Sequence, residues 1–137
     1  NERGTLLATI HRAYTLLDIS EREELKQEVL AMDKRGFSEK EHSLMLNIEL
    51  MDVCMNKSES DSEIIIDLCN RIKQQAEHLK LNDLDDSPVE AFYIAGKRLM
   101  ELKKHEVANN IAKQALSWIG EKDAFRKAEL QSMLKEH

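Results

Sequence analysis

Four times in 137 residues a serine is followed three places later by a glutamate just ahead of an apolar run at helical spacing. The pairs are Ser20/Glu23, Ser38/Glu41, Ser60/Glu63 and Ser87/Glu90. A serine at a helix N-cap accepts a backbone N–H of the first turn, and a glutamate three residues on returns a bond to the serine's own N–H. Each pair therefore marks a helix start, and Pro88 stands at a first helical position, where its missing N–H costs nothing. One proline and four glycines leave little to interrupt the helices once begun. The class that follows is all-α.

The periodicity divides the chain in order. A first helix is expected over about residues 4–17, with Leu6, Leu7, Ile10, Tyr14 and Leu17 on one face. A second carries Leu25, Val29 and Met32 and ends at Gly36 in a left-handed cap. The helix after Ser38 holds Leu44, Ile48, Met51 and Met55, and the one after Ser60 holds Ile65, Leu68, Cys69, Ile72, Ala76 and Leu79. Residues 82–86 form a short acidic linker without the glycine and closing glutamate of a calcium loop. From Ser87, apolar Phe92, Ala95, Leu99 and Leu102 recur, and beyond the Lys103-Lys104-His105 turn so do Ala108, Ala112, Ala115 and Ile119. A last helix over about residues 122–136 carries Phe125, Ala128, Leu130 and Leu134, and Trp118 is expected to anchor the junction to it. The expectation is one domain of about seven helices: hairpins at about 4–36, 38–80 and 87–120, then a terminal helix. Short amphipathic hairpins cannot bury their apolar faces alone, so they stack in order or close into a bundle.

Phe92, Gly96, Ala108 and Ala115 have the spacing of an aromatic, a glycine and two alanines in the tetratricopeptide (TPR) repeat, and residues 87–120 resemble that family. The resemblance implies a right-handed α-solenoid segment closed by a capping helix. In it Phe92, Gly96, Leu99, Ala108, Ala112 and Ala115 are packing positions, with Gly96 and Ala108 at the closest approach of the paired helices. It also implies that the first helix of each hairpin lines a ligand groove. On the helix from Ser87 the residues outside the packing stripe are Glu90, Tyr93, Lys97, Met100 and Glu101, the expected binding strip. Tyr93 offers a rigid apolar body with a polar tip, Lys97 a cation and Met100 an adaptable contact. The alternative is that Tyr93 and Met100 pack against the preceding hairpin. Tyr93 and Ile94 stand where members that clamp a C-terminal carboxylate carry polar side chains, so the resemblance does not extend to that clamp.

Charge narrows the partners. The net charge is −6, with 11 Lys/Arg against 19 Asp/Glu before residue 87 and 9 against 7 after it. Nucleic acid needs a concentrated basic surface, and Lys97, Arg98, Lys103 and Lys104 form only a small cluster at a helix end. Cys54 and Cys69 match no zinc spacing and fall on apolar faces, as expected of buried reduced thiols in a cytoplasmic protein. No apolar run reaches membrane-spanning length. No glycine-rich phosphate loop, HExxH motif or nucleophile beside a base is present. Glu39–His42 occurs once where a di-iron bundle would need the pair twice. No catalytic residue, metal or cofactor is therefore expected. The chain begins at Asn1 rather than Met and is read as a piece of a longer protein. The functional expectation is a protein- or peptide-binding repeat module, the sensing or scaffold part of a larger regulator. The competing expectation is a compact bundle that acts through self-association as a homodimer.

Overall fold

Capping chemistry sets the helix starts, though not always through the serine that the pattern marks. The computed structural model describes residues 38–56, 61–79, 88–119 and 124–135, with scattered positions between 21 and 35. Its described residues form five helices and no strand: α1 (Glu39–Met55), α2 (Ser62–Leu79), α3 (Val89–Glu101), α4 (His105–Ile119) and α5 (Ala124–Lys135). The helix expected at 4–17 lies outside the described residues, and of that expected after Ser20 only isolated positions are described, Glu21, Glu23, Glu24, Gln27 and Glu28 being helical. The expectation of seven helices thus rests partly on residues that are not described.

At α1 the capping box forms as the sequence implies: Ser38 Oγ accepts from the Glu41 N–H, and Glu41 Oε1 accepts from the Ser38 N–H, both at 3.2 Å. At α2 the cap is Asp61, whose Oδ1 accepts from the Glu63 N–H at 2.8 Å. Asp61 lies directly before the first helical residue, and a carboxylate there also favours the positive end of the helix dipole. At α3 Pro88 holds the cap position with no side-chain capping bond. Ser87 lies outside the described residues, and Glu90 is drawn away to α5.

The α3–α4 turn closes as a Schellman motif. Lys104 N–H donates to Leu99 C=O and Lys103 N–H to Met100 C=O, satisfying carbonyls that the helix end would otherwise leave open. The motif demands a left-handed residue, and here it is Lys103, with φ 64°. Glycine is the usual occupant because any Cβ is strained in that region.

α1 and α2 pair as an antiparallel hairpin whose open end is tied by His78, its Nε2 3.1 Å from Glu39 Oε2. α1 is buried on more than its expected stripe: Ser43, Asn47, Leu50 and Cys54 are enclosed as well as Leu44, Ile48 and Met51. It lies between α2 and α3, and α3 meets α2 too. The closest pairing is α3 with α4, through Phe92, Ala95, Leu99, Ala108, Ala112 and Ala115, all essentially inaccessible to solvent. Trp118 stands edge-on to Phe92, with ring centroids 4.9 Å apart, so its firm contact is inside this hairpin. α5 then packs on α4. Its buried anchors are Leu130 and Met133, whereas Phe125 is 74 % exposed and Ala128 also faces solvent. The expected apolar stripe of this helix is corrected accordingly, because Phe125 and Ala128 lie on the side of the helix opposite Leu130.

Replacing Lys103 by glycine removes the left-handed strain while keeping both turn bonds. Lys103→Gly is expected to raise unfolding stability by about 0.5–1 kcal/mol, read as a higher denaturant midpoint with an unchanged slope.

Candidate binding groove between the third and fifth helices

Beside the core stripe of α3 runs a second one, Glu90, Tyr93, Lys97 and Met100, at intervals of three and four residues. α5 presents Arg126, Glu129 and Met133 at the same rhythm. The two helices lie side by side and parallel: Glu90 meets Arg126, Tyr93 meets Glu129, and Gly96 meets Met133. The absence of a side chain at Gly96 permits the last contact. A Cβ there would stand 2.7 Å from the Met133 terminal methyl and 3.9 Å from the Ala108 carbonyl oxygen. Gly96 and Ala108 thus do lie close together, and Gly96 admits α5 as well as α4.

Arg126 organises the polar half of this contact. Its Nε and Nη2 donate to the two oxygens of Glu90 at 2.9 and 2.7 Å, a bidentate fork, and Nη1 donates to Glu129 Oε1. The guanidinium carbon lies 3.8 Å from the Tyr93 ring centroid, and the Tyr93 hydroxyl donates to Glu129 Oε2 at 2.6 Å. All four side chains are largely shielded from water, where charge-assisted bonds strengthen. Burial, together with the hydrogen bond to and negative charge of Glu129, pushes the Tyr93 hydroxyl up to about 12, with Glu90 adding and Arg126 opposing.

Next to this network lies an open groove of about 380 Å³, lined by Tyr93, Lys97, Met100 and Glu101 of α3 and by Glu129, Ser132 and Met133 of α5. Four residues of the expected strip, Tyr93, Lys97, Met100 and Glu101, come together on one wall. Glu90, the fifth, is bound to the half-buried Arg126 and is not among the lining residues. Tyr93 engages α5, through its hydroxyl on Glu129 and through Arg126 over its ring. Glu129, Ser132 and Met133 form the second wall and escaped the sequence reading. Their signal is the 36-residue step from Glu90 to Arg126 and from Tyr93 to Glu129, close to one helical-repeat period of about 34. Lys97 reaches over the Tyr93 ring, its Nζ 5.1 Å from the centroid.

No family model, curated protein or solved structure matches the chain. What the groove can do must be read from its own chemistry. It offers two thioethers and an aromatic edge for apolar contact, with a cation, carboxylates and a hydroxyl around them, which is the make-up of a recognition surface.

The two thiols lie away from it. Cys54 and Cys69 are buried on α1 and α2. Burial pushes the Cys54 thiol up to about 12 against the pull of Arg98, and it raises Cys69 as well, with neighbouring Cys54 adding to the effect. His78 and Glu39 form an exposed pair, and the His105 ring nitrogen Nδ1 touches Met100 Sδ at 3.4 Å. Among the described residues no three His, Cys, Asp or Glu side chains gather as metal ligands. No described helix is long and apolar enough to cross a membrane.

Two outcomes follow from the network. Arg126→Ala leaves Glu90 and Glu129 without their shared partner and is expected to cost about 2 kcal/mol, with amide exchange in α5 accelerating before that in α3 or α4. Tyr93 titrates higher in the folded chain than in the unfolded one, so its contribution is complete below about pH 10 and is lost as pH rises towards about 12. Wild type should therefore lose stability across that interval more steeply than Tyr93→Phe, compared by thermal melts at matched ionic strength.

Proposed function

We propose that the chain is a non-catalytic, TPR-like interaction module that holds a protein or peptide segment in the groove between α3 and α5. One observation carries this reading: Tyr93, Lys97, Met100 and Glu101, singled out by their position on one helix, share a cleft with the side chains of a second helix one repeat later. An isolated surface stripe would carry no such inference. A cleft of about 380 Å³ with methionine on both walls is suited to one or two inserted side chains.

The packing order supports a stack of hairpins, read here as a segment of right-handed solenoid. α3 touches both helices of the hairpin before it. α5 likewise packs on α4 and meets α3 through side chains, and it lies parallel to α3. This is the relation expected when each hairpin's first helix is laid against the pair before it. α5 then serves as the capping helix, with Phe125 and Ala128 on its outer side.

The test blocks the groove without touching the core. Ser132 is exposed at the rim, so Ser132→Trp should leave helicity and melting unchanged while filling the cleft. On a random peptide array, wild type is expected to retain a set of sequences that the variant binds at least about tenfold more weakly. Equal binding by both proteins would move the site elsewhere. A mass that doubles with concentration, together with no peptide binding, would favour the self-associating bundle.

A further inference from the structure

We infer that the groove selects segments in which an acidic side chain neighbours an apolar one. The inference rests on the proposed groove and adds the chemistry of its occupant. It follows from which polar groups along the two walls are already spent. Glu129 accepts from Arg126 through one oxygen and from Tyr93 through the other. Glu101 is paired with Arg98, whose Nη1 lies 3.5 Å from Glu101 Oε2. Glu129 is thus committed on both oxygens, and Glu101, 54 % exposed, is partly engaged by its arginine.

The donors are not. Lys97 is exposed, rests its ammonium over the Tyr93 ring and makes no ion pair among the described residues. Ser132, exposed on the opposite wall, makes no side-chain hydrogen bond among the described residues. A cation held over an aromatic face keeps its N–H groups available on the side away from the ring. Lys97 and Ser132 therefore leave the groove short of an acceptor, and Met100 and Met133 supply an apolar contact on each wall. A basic side chain would find Glu129 engaged on both oxygens, Glu101 shared with Arg98, and Lys97 repelling it. A Glu or Asp within the segment, adjacent to an aliphatic or aromatic residue, meets both needs at once. The acceptor is a side-chain carboxylate, so neither chain terminus is required.

The experiment uses an array of ten-residue peptides, acetylated and amidated to remove terminal charges. A central Leu, Ile, Met or Phe is flanked by Glu, Gln or Lys at each neighbouring position. Binding is read by fluorescence anisotropy, and occupancy of the groove by the methyl resonances of Met100 and Met133. The expected order for wild type is Glu, then Gln, then Lys, with about a fivefold step between members, the scale of one solvent-accessible charge contact. Lys97→Glu should reverse the order, and Ser132→Ala should weaken the Glu and Gln peptides, both of which offer it an acceptor, more than the Lys peptides. If peptides shift the Met100 and Met133 methyls with equal affinity for Glu and Lys, the acidic assignment falls and the groove stands. If the Lys peptides bind best, Glu101 reads the ligand and the assignment is likewise overturned. If no peptide moves either methyl, both the groove and its acidic occupant are refuted.

Discussion

The other four described helices all lean on α3. α1, α2 and α4 pack directly against it, and α5 is tied to it through Glu90, Tyr93 and Gly96. A thirteen-residue helix with neighbours on so many sides has no room for large side chains all round. Ala91, Ala95 and Gly96 answer that constraint, and the large groups are confined to Phe92, Tyr93 and Leu99. The alanines of α4 complete the fit by letting its backbone approach. Few other helices of the chain could take this place, since α1 meets its neighbours with leucines, isoleucines and methionines.

The way α5 is held differs in kind. Its apolar burial is centred on Leu130 and Met133, and the rest of its docking is the arginine fork and the tyrosine bond. Directional bonds specify where a helix sits more sharply than apolar contact does, because a shift of one residue breaks them all. The same bonds engage both oxygens of Glu129, a residue of the groove. In the proposed reading, docking and recognition are coupled through Glu129 and Tyr93.

The helices were legible where local chemistry decides them. Ser38/Glu41 reads as a cap and is one, and the apolar stripes of α2, α3 and α4 are the buried ones. The same reasoning did not name Asp61, the capping side chain of α2, and Ser60, which it did name, lies outside the described residues. It misread α5, where Phe125 is the largest apolar residue yet faces water. Hydrophobicity marks what a residue can do, whereas burial depends on which side of the helix meets a neighbour. The second face of α1 was invisible for a related reason: Ser43 and Asn47 are polar, and only the packing of α2 and α3 around the helix encloses them.

For the candidate site, one wall was readable and the other was not. Tyr93, Lys97, Met100 and Glu101 share a helix, so 3.6-residue periodicity alone places them together. Glu129, Ser132 and Met133 join them only because α5 lies parallel to α3, an arrangement made by contacts 36 residues apart in the chain. Glu90 shows the same limit from the other direction, since its neighbours in sequence mark it for a cap or a ligand and Arg126 takes it for structure. The sequence by itself determined the helical class, the small residues that let α3 and α4 close together, and one face of the groove, all through short-range periodicity and backbone sterics. The tertiary structure decided the opposite wall and which charges remain unspent, because partners distant in the chain are chosen by packing geometry, to which local spacing is blind.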